Sequence, residues 1–105
     1  MRIKKKYNIN GVKWSVSFDL VNPNNSGECY TDEKKIKLDP KLSANDIDET
    51  FLHEFLHAVF HENGVYQIIS ADAEELVVTC ASKALKQVIT KSKKLPCFAP
   101  KPGSV

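Results

Sequence analysis

Two histidines four residues apart enclose a glutamate in the string His53-Glu54-Phe55-Leu56-His57. On an α-helix that spacing sets one ring a turn above the other, about 6 Å along the axis, so both imidazoles can meet one ion. Zinc accepts neutral histidine nitrogens, and a hydrolytic zinc site keeps three protein ligands with a fourth place for water. Glu54 points to the neighbouring side, where it can take a proton from that water as it attacks a carbonyl carbon. The string therefore predicts His53 and His57 as metal ligands and Glu54 as the general base of peptide hydrolysis.

A third ligand has three candidates. On a continuous helix His53, His57 and His61 span about 12 Å, too far for three ring nitrogens to sit about 2.1 Å from one ion. His61 is thus expected on the surface or in support of the site. Glu74 and Glu75 open a later helix and differ by about 100° in direction. Glu74 falls in line with Val77, Ala81 and Leu85, and a carboxylate aimed into a core face is costly unless it is paired or bound to metal. Glu74 is accordingly the expected third ligand and Glu75 the alternative, which a capping box from Asp72 would otherwise occupy.

These residues must be positioned by ordinary elements. Between Ile3 and Leu20 apolar and polar residues alternate around Asn10-Gly11, the pattern of a β-hairpin with a tight turn. Pro23 and three asparagines mark a loop over residues 21–27. A third strand is predicted from Glu28 to Leu38, its many charges suggesting an exposed edge. Ser43 or Asn45 can cap the helix that carries the histidines, whose apolar face is Leu52, Phe55, Leu56, Val59 and Phe60, and Asn63-Gly64 closes it. Ser70 or Asp72 can cap a second helix to about Thr90, with Val77, Cys80, Ala81, Ala84, Leu85 and Val88 as its apolar arc.

Composition narrows the class. At 105 residues, with 42% hydrophobic and 27% charged, the chain fits one globular domain. Cys29, Cys80 and Cys97 are odd in number and widely spaced, which describes no disulfide framework and suggests a reducing compartment. No apolar run approaches the roughly 18 residues of a membrane span, and no signal peptide is expected, so the reading is cytoplasmic. The lysines cluster toward the two ends of the chain, where solvation is the simpler explanation. Nucleic-acid binding is not expected.

Taken together, the string 53–57, Asn63-Gly64 and the Glu74-Glu75-Leu76-Val77-Val78 helix resemble the gluzincin metallopeptidases, most closely the minigluzincins and small phage-type metallopeptidases of about this length. The resemblance covers roughly Glu28 to Ile89. It implies a small sheet beside the active-site helix, a glutamate on the later helix as third ligand, and an edge strand that pairs with an extended peptide. Metzincins would need glycine and histidine where Phe60 and Asn63 stand. Larger thermolysin-like enzymes carry an aspartate four residues after the glutamate ligand to orient a histidine; Val78 stands four after Glu74, so an orienting residue of that kind is either missing or comes from elsewhere, with Glu49 and Thr50 as candidates. Tyr66 and His61 are the candidates for stabilising an oxyanion.

The expected fold is α+β, a small, mostly antiparallel sheet of about three strands packed against the active-site helix and a second C-terminal helix. Residues 1–90 form one zincin-like domain, followed by a flexible basic, proline-containing tail at 91–105. The expected function is a zinc-dependent endopeptidase holding one zinc through His53, His57 and Glu74, with a peptide or protein as substrate, no membrane partner, and a monomer favoured. The alternative is a zinc-containing binding or regulatory protein whose site is latent or inactive, with the tail or Cys97 lying over the metal.

Overall fold

The computed structural model describes residues 1–92. Cys97 and the tail from residue 93 onward, invoked above for latency, lie outside the described residues. In chain order the elements are β1 (Lys6–Ile9), β2 (Val12–Phe18), β3 (Gly27–Tyr30), β4 (Lys35–Leu38), α1 (Ala44–Glu62), a single 3-10 turn (Val65–Gln67) and α2 (Ala71–Ser92). This is an α+β fold with one four-stranded sheet, ordered β1-β2-β4-β3.

The β1–β2 hairpin follows from turn chemistry. Asn10 and Gly11 both adopt positive φ, 51° and 84°, the pair of left-handed residues that a two-residue turn between twisted strands requires. Alternation then sends Ile9, Trp14 and Val16 into the core.

The expected third strand is two strands. Residues 31–34 form a turn, with Lys34 at φ 54°, and split the segment into an antiparallel pair. Of the pair, β4 is central and runs parallel to β2, while β3 is the edge. Charge density misleads here because the lysines of β4 all lie on one face. Ile36 and Leu38, on the other, are 0% exposed. The sheet is still mostly antiparallel, with two antiparallel pairings and one parallel.

Ser43 caps α1: its hydroxyl accepts from the Asp46 N–H, and its carbonyl takes the first helical bonds. Asn63 ends the helix, and Gly64 at φ 72° turns the chain away. Phe51, Leu52 and Ala58 are buried against the sheet, and Tyr7, Phe51 and Phe55 form an aromatic cluster with centroids 5.3 to 5.5 Å apart. The second helix begins at Ser70, whose hydroxyl accepts from Ala73 N–H, so the Asp72–Glu75 capping box is not the cap used.

The expected apolar arc of α2 is shifted by about one residue. Val78, Ser82 and Ile89 are buried and Leu85 half-buried, whereas Val77, Cys80, Ala84 and Val88 are exposed. A helix that alternates small, apolar and short polar residues offers two nearly equivalent faces to a periodicity count. Packing against α1 selects the one that starts at Glu74.

Candidate active site

The helix α1 brings His53 and His57 to one side of the molecule, their rings 5.0 Å apart at the centroids. The first turn of α2 lies across them. The carboxylate of Glu75 stands between the two imidazoles, with Oε1 3.0 Å from His53 Nε2 and Oε2 2.9 Å from His57 Nε2. One ring nitrogen from each histidine and one oxygen of Glu75 lie within 4.8 Å of one another. Two imidazole nitrogens and a carboxylate oxygen are the donor set of a hydrolytic zinc site, so the residues present fit that ion.

Glu74 occupies a different place. Its side chain is 17% exposed against 56% for Glu75, and its Oε2 is 2.6 Å from Nδ1 of His57, the nitrogen on the far side of the ring. A carboxylate can only accept, so Nδ1–H donates to Glu74 as Nε2–H does to Glu75; a metal between Nε2 and Glu75 would replace that second proton and leave Nδ1–H on Glu74. The inward direction expected of Glu74 is what the fold shows, and its carboxylate is met by the Nδ1 side of the His57 ring. Expectation made it the third ligand with Glu75 as alternative; the geometry favours Glu75 for that position and gives Glu74 the orientation of the ring. Glu74 thus stands behind the His57 ring, while Glu49 and Thr50 border the hollow beside His53 and Glu54.

Glu54 lies on the cleft side of α1. It faces two hollows, one of about 250 Å³ walled by the loop 24–27 with Glu49, Thr50 and His53, the other of about 540 Å³ walled by Cys29, Thr31, His57, His61, Tyr66 and Glu74. Burial pushes its carboxyl up to about 7, against the pull of neighbouring His57 and with the added repulsion of Glu75 and Glu28. A carboxylate in that range can accept a proton and give it back near neutrality. A dication bound nearby would draw it down again.

His61 stands outside the metal-facing group, as its distance along the helix requires. Its ring stacks on Tyr66 at 5.0 Å and 17°. Tyr66 borders the hollows on both sides of His57.

Two cleft residues escape a motif-based reading. Gly27, at the start of β3, lies so close to α1 that a Cβ there would be 2.9 Å from Thr50 Cγ2 and 3.1 Å from Glu54 Cγ. Cys29, two residues on, faces the same way; burial first, then Glu54 and Glu74, push its thiol up to about 12. The available signal was a glycine beginning a strand, which marks a close approach of backbone. No protein-family model, curated protein or solved structure matches the chain.

Proposed function

We propose that the chain is a zinc-dependent peptidase of gluzincin type. The observation that carries this reading is the convergence of His53, His57 and Glu75 on one point beside the half-buried carboxyl of Glu54, in a cleft bounded by the edge strand β3. His53, His57 and Glu75 would hold the metal. A zinc ion there supplies Lewis acidity, polarising a carbonyl and acidifying water.

The remaining work falls to the chain. Glu74 holds the His57 ring so that Nε2 faces the cleft. Glu54 accepts a proton at its carboxylate from the attacking water and returns it to the departing amine, the upward push of burial on that carboxyl offsetting the downward pull that a neighbouring dication would exert. The edge of β3 offers unpaired backbone groups to an extended substrate, a mode that favours unfolded polypeptide over a compact one.

The test is metal content with activity. Purified protein is expected to hold one zinc and to cleave an unfolded protein such as reduced casein. Glu54→Gln should keep the metal and lose at least a hundredfold in rate, at the lower end of general-base effects. Undiminished cleavage by that variant, or folded wild type that takes up no zinc, would overturn the reading.

A further inference from the structure

The two faces of the sheet differ in kind. Toward α1 it is apolar; the outer face, away from α1, carries Lys6 of β1, Lys13 of β2 and Lys35 and Lys37 of β4. The strand residues of that face include one carboxylate, Glu28. It is already engaged by the Tyr30 hydroxyl, which donates at 2.7 Å, and by the Asn25 amide at 3.0 Å. Lys37 is partly matched, 3.9 Å from Asp19 and over the Tyr30 ring at 5.3 Å. Lys6, Lys13 and Lys35 make no ion pair among the described residues.

Register gathers these three. Ser15 pairs with Lys6 on one side and with Lys35 on the other, each a strand spacing of about 4.8 Å away, and Lys13 lies two residues along β2, about 6.7 Å off. Three like charges around one serine repel one another. The imbalance extends through the chain: residues 1–38 hold eight Lys and Arg against four Asp and Glu, whereas residues 39–92 hold four against nine. The acidic helical layer faces the cleft and the basic sheet faces away from it.

We infer that this outer face binds the phosphate backbone of a nucleic acid. What the face lacks selects that partner class. No aliphatic side chain of the strands projects from it, and its one aromatic, Tyr30, is taken up by Glu28 and by Lys37 over its ring, so it has nothing to bury in a bilayer and little to anchor a folded protein. Clustered lysines beside a serine hydroxyl suit phosphate oxygens, which fix position without reading sequence. The absence of nucleic-acid binding expected above rested on lysines at the chain ends; this surface is made of strand lysines that only the pairing of β1, β2 and β4 brings together.

The test is fluorescence anisotropy of the full chain with a labelled 20-nucleotide single strand and with the matching duplex, between 50 and 200 mM salt. Contact with about three phosphates should give a slope of log affinity on log salt of about −2 to −3 for whichever binds. The triple variant Lys6→Gln, Lys13→Gln, Lys35→Gln should lose at least tenfold in affinity at the lowest salt and flatten the slope while melting like wild type; the corresponding triple arginine variant should keep both. Three results would overturn the inference: no binding by wild type to either probe, undiminished binding by the glutamine variant, or capture by phosphatidylserine vesicles with none by the oligonucleotides.

Discussion

The imidazole of His57 is held at both nitrogens, Nδ1 by Glu74 at 2.6 Å and Nε2 by Glu75 at 2.9 Å. Adjacent glutamates on α2 thus meet opposite edges of one ring. If Glu75 is the ligand and Glu74 the residue that orients the ring, their removal will differ in degree. Glu75→Ala is expected to abolish stoichiometric zinc binding, and Glu74→Ala to weaken it about 10- to 100-fold, the usual cost of losing a carboxylate behind a metal-bound histidine. Competition with a chromophoric chelator measures both. A larger loss in Glu74→Ala would reverse the assignment.

Gly27 permits the approach of β3 to α1, and its replacement tests how closely the cleft is built. A Cβ would meet Thr50 at 2.9 Å, Glu54 at 3.1 Å and Leu38 Cδ2 at 3.3 Å. Gly27→Ala should cost about 1–3 kcal/mol in a chemical denaturation experiment, as overpacking does. Because Glu54 is one of the atoms displaced, activity should fall further than stability explains. Adding Thr50→Ser, which removes the nearest methyl, should restore part of the stability.

Cys29 and Cys80 should differ sharply in reactivity. Cys80 is exposed, while the thiol of Cys29 is pushed up to about 12. In a Cys97→Ser background at pH 8, a chromogenic disulfide should titrate Cys80 quickly and Cys29 only as the protein opens. The same shift predicts a pH dependence of stability. The folded thiol has the higher value, so its contribution is intact below about 9, the ordinary value, and is lost as pH climbs toward 12. Cys29→Ala should lessen that alkaline decline; an identical decline in both proteins would exclude Cys29 as its source.

Lys34 ties the β3–β4 turn to the end of α1. Its Nζ is 2.6 Å from Glu62 Oε1 and 5.6 Å from the Trp14 ring centroid, and the Glu62 side chain is only 7% exposed. Glu62 lies in the last turn of α1, where the macrodipole disfavours a negative charge. Lys34→Met should therefore destabilise by about 1–3 kcal/mol, mainly by stranding that carboxylate. Adding Glu62→Gln should recover much of the loss in thermal melts. Strictly additive losses would mean the two side chains act separately.

Much of this arrangement is legible before any coordinates. Asn10-Gly11 specifies its hairpin because those residues tolerate the left-handed conformations the turn needs. Ser43 and Asn63-Gly64 bound α1 by satisfying its terminal backbone groups. The central position of β4 was hidden, since its lysines and the charged residues of the preceding turn, Asp32, Glu33 and Lys34, read as an exposed edge until pairing shows that Lys35 and Lys37 share a face opposite Ile36 and Leu38. The roles of Glu74 and Glu75 were hidden for a related reason. The direction of each follows from helix phase, but which nitrogen of His57 each meets depends on how α2 crosses α1, a relation between elements that periodicity along one helix does not contain.

The helices α1 and α2 are joined by the eight residues 63–70, so His53, His57, Glu74 and Glu75 all belong to one helical hairpin. The opposite wall of the cleft has a different history. β3 is attached through β4, and β4 joins the sheet by pairing in parallel with β2, matching Ser15 to Lys35 across twenty positions of chain. Local hairpins close in microseconds, and pairings between distant strands come later because loop closure must precede them. On refolding of a complete chain, the four residues gathered by the helices can therefore assemble before the strand that borders them is in place. On the ribosome the order is reversed, because residues 6–38 emerge before either helix, so an unfinished molecule would have the ledge against which an extended chain could be laid without the charged cluster.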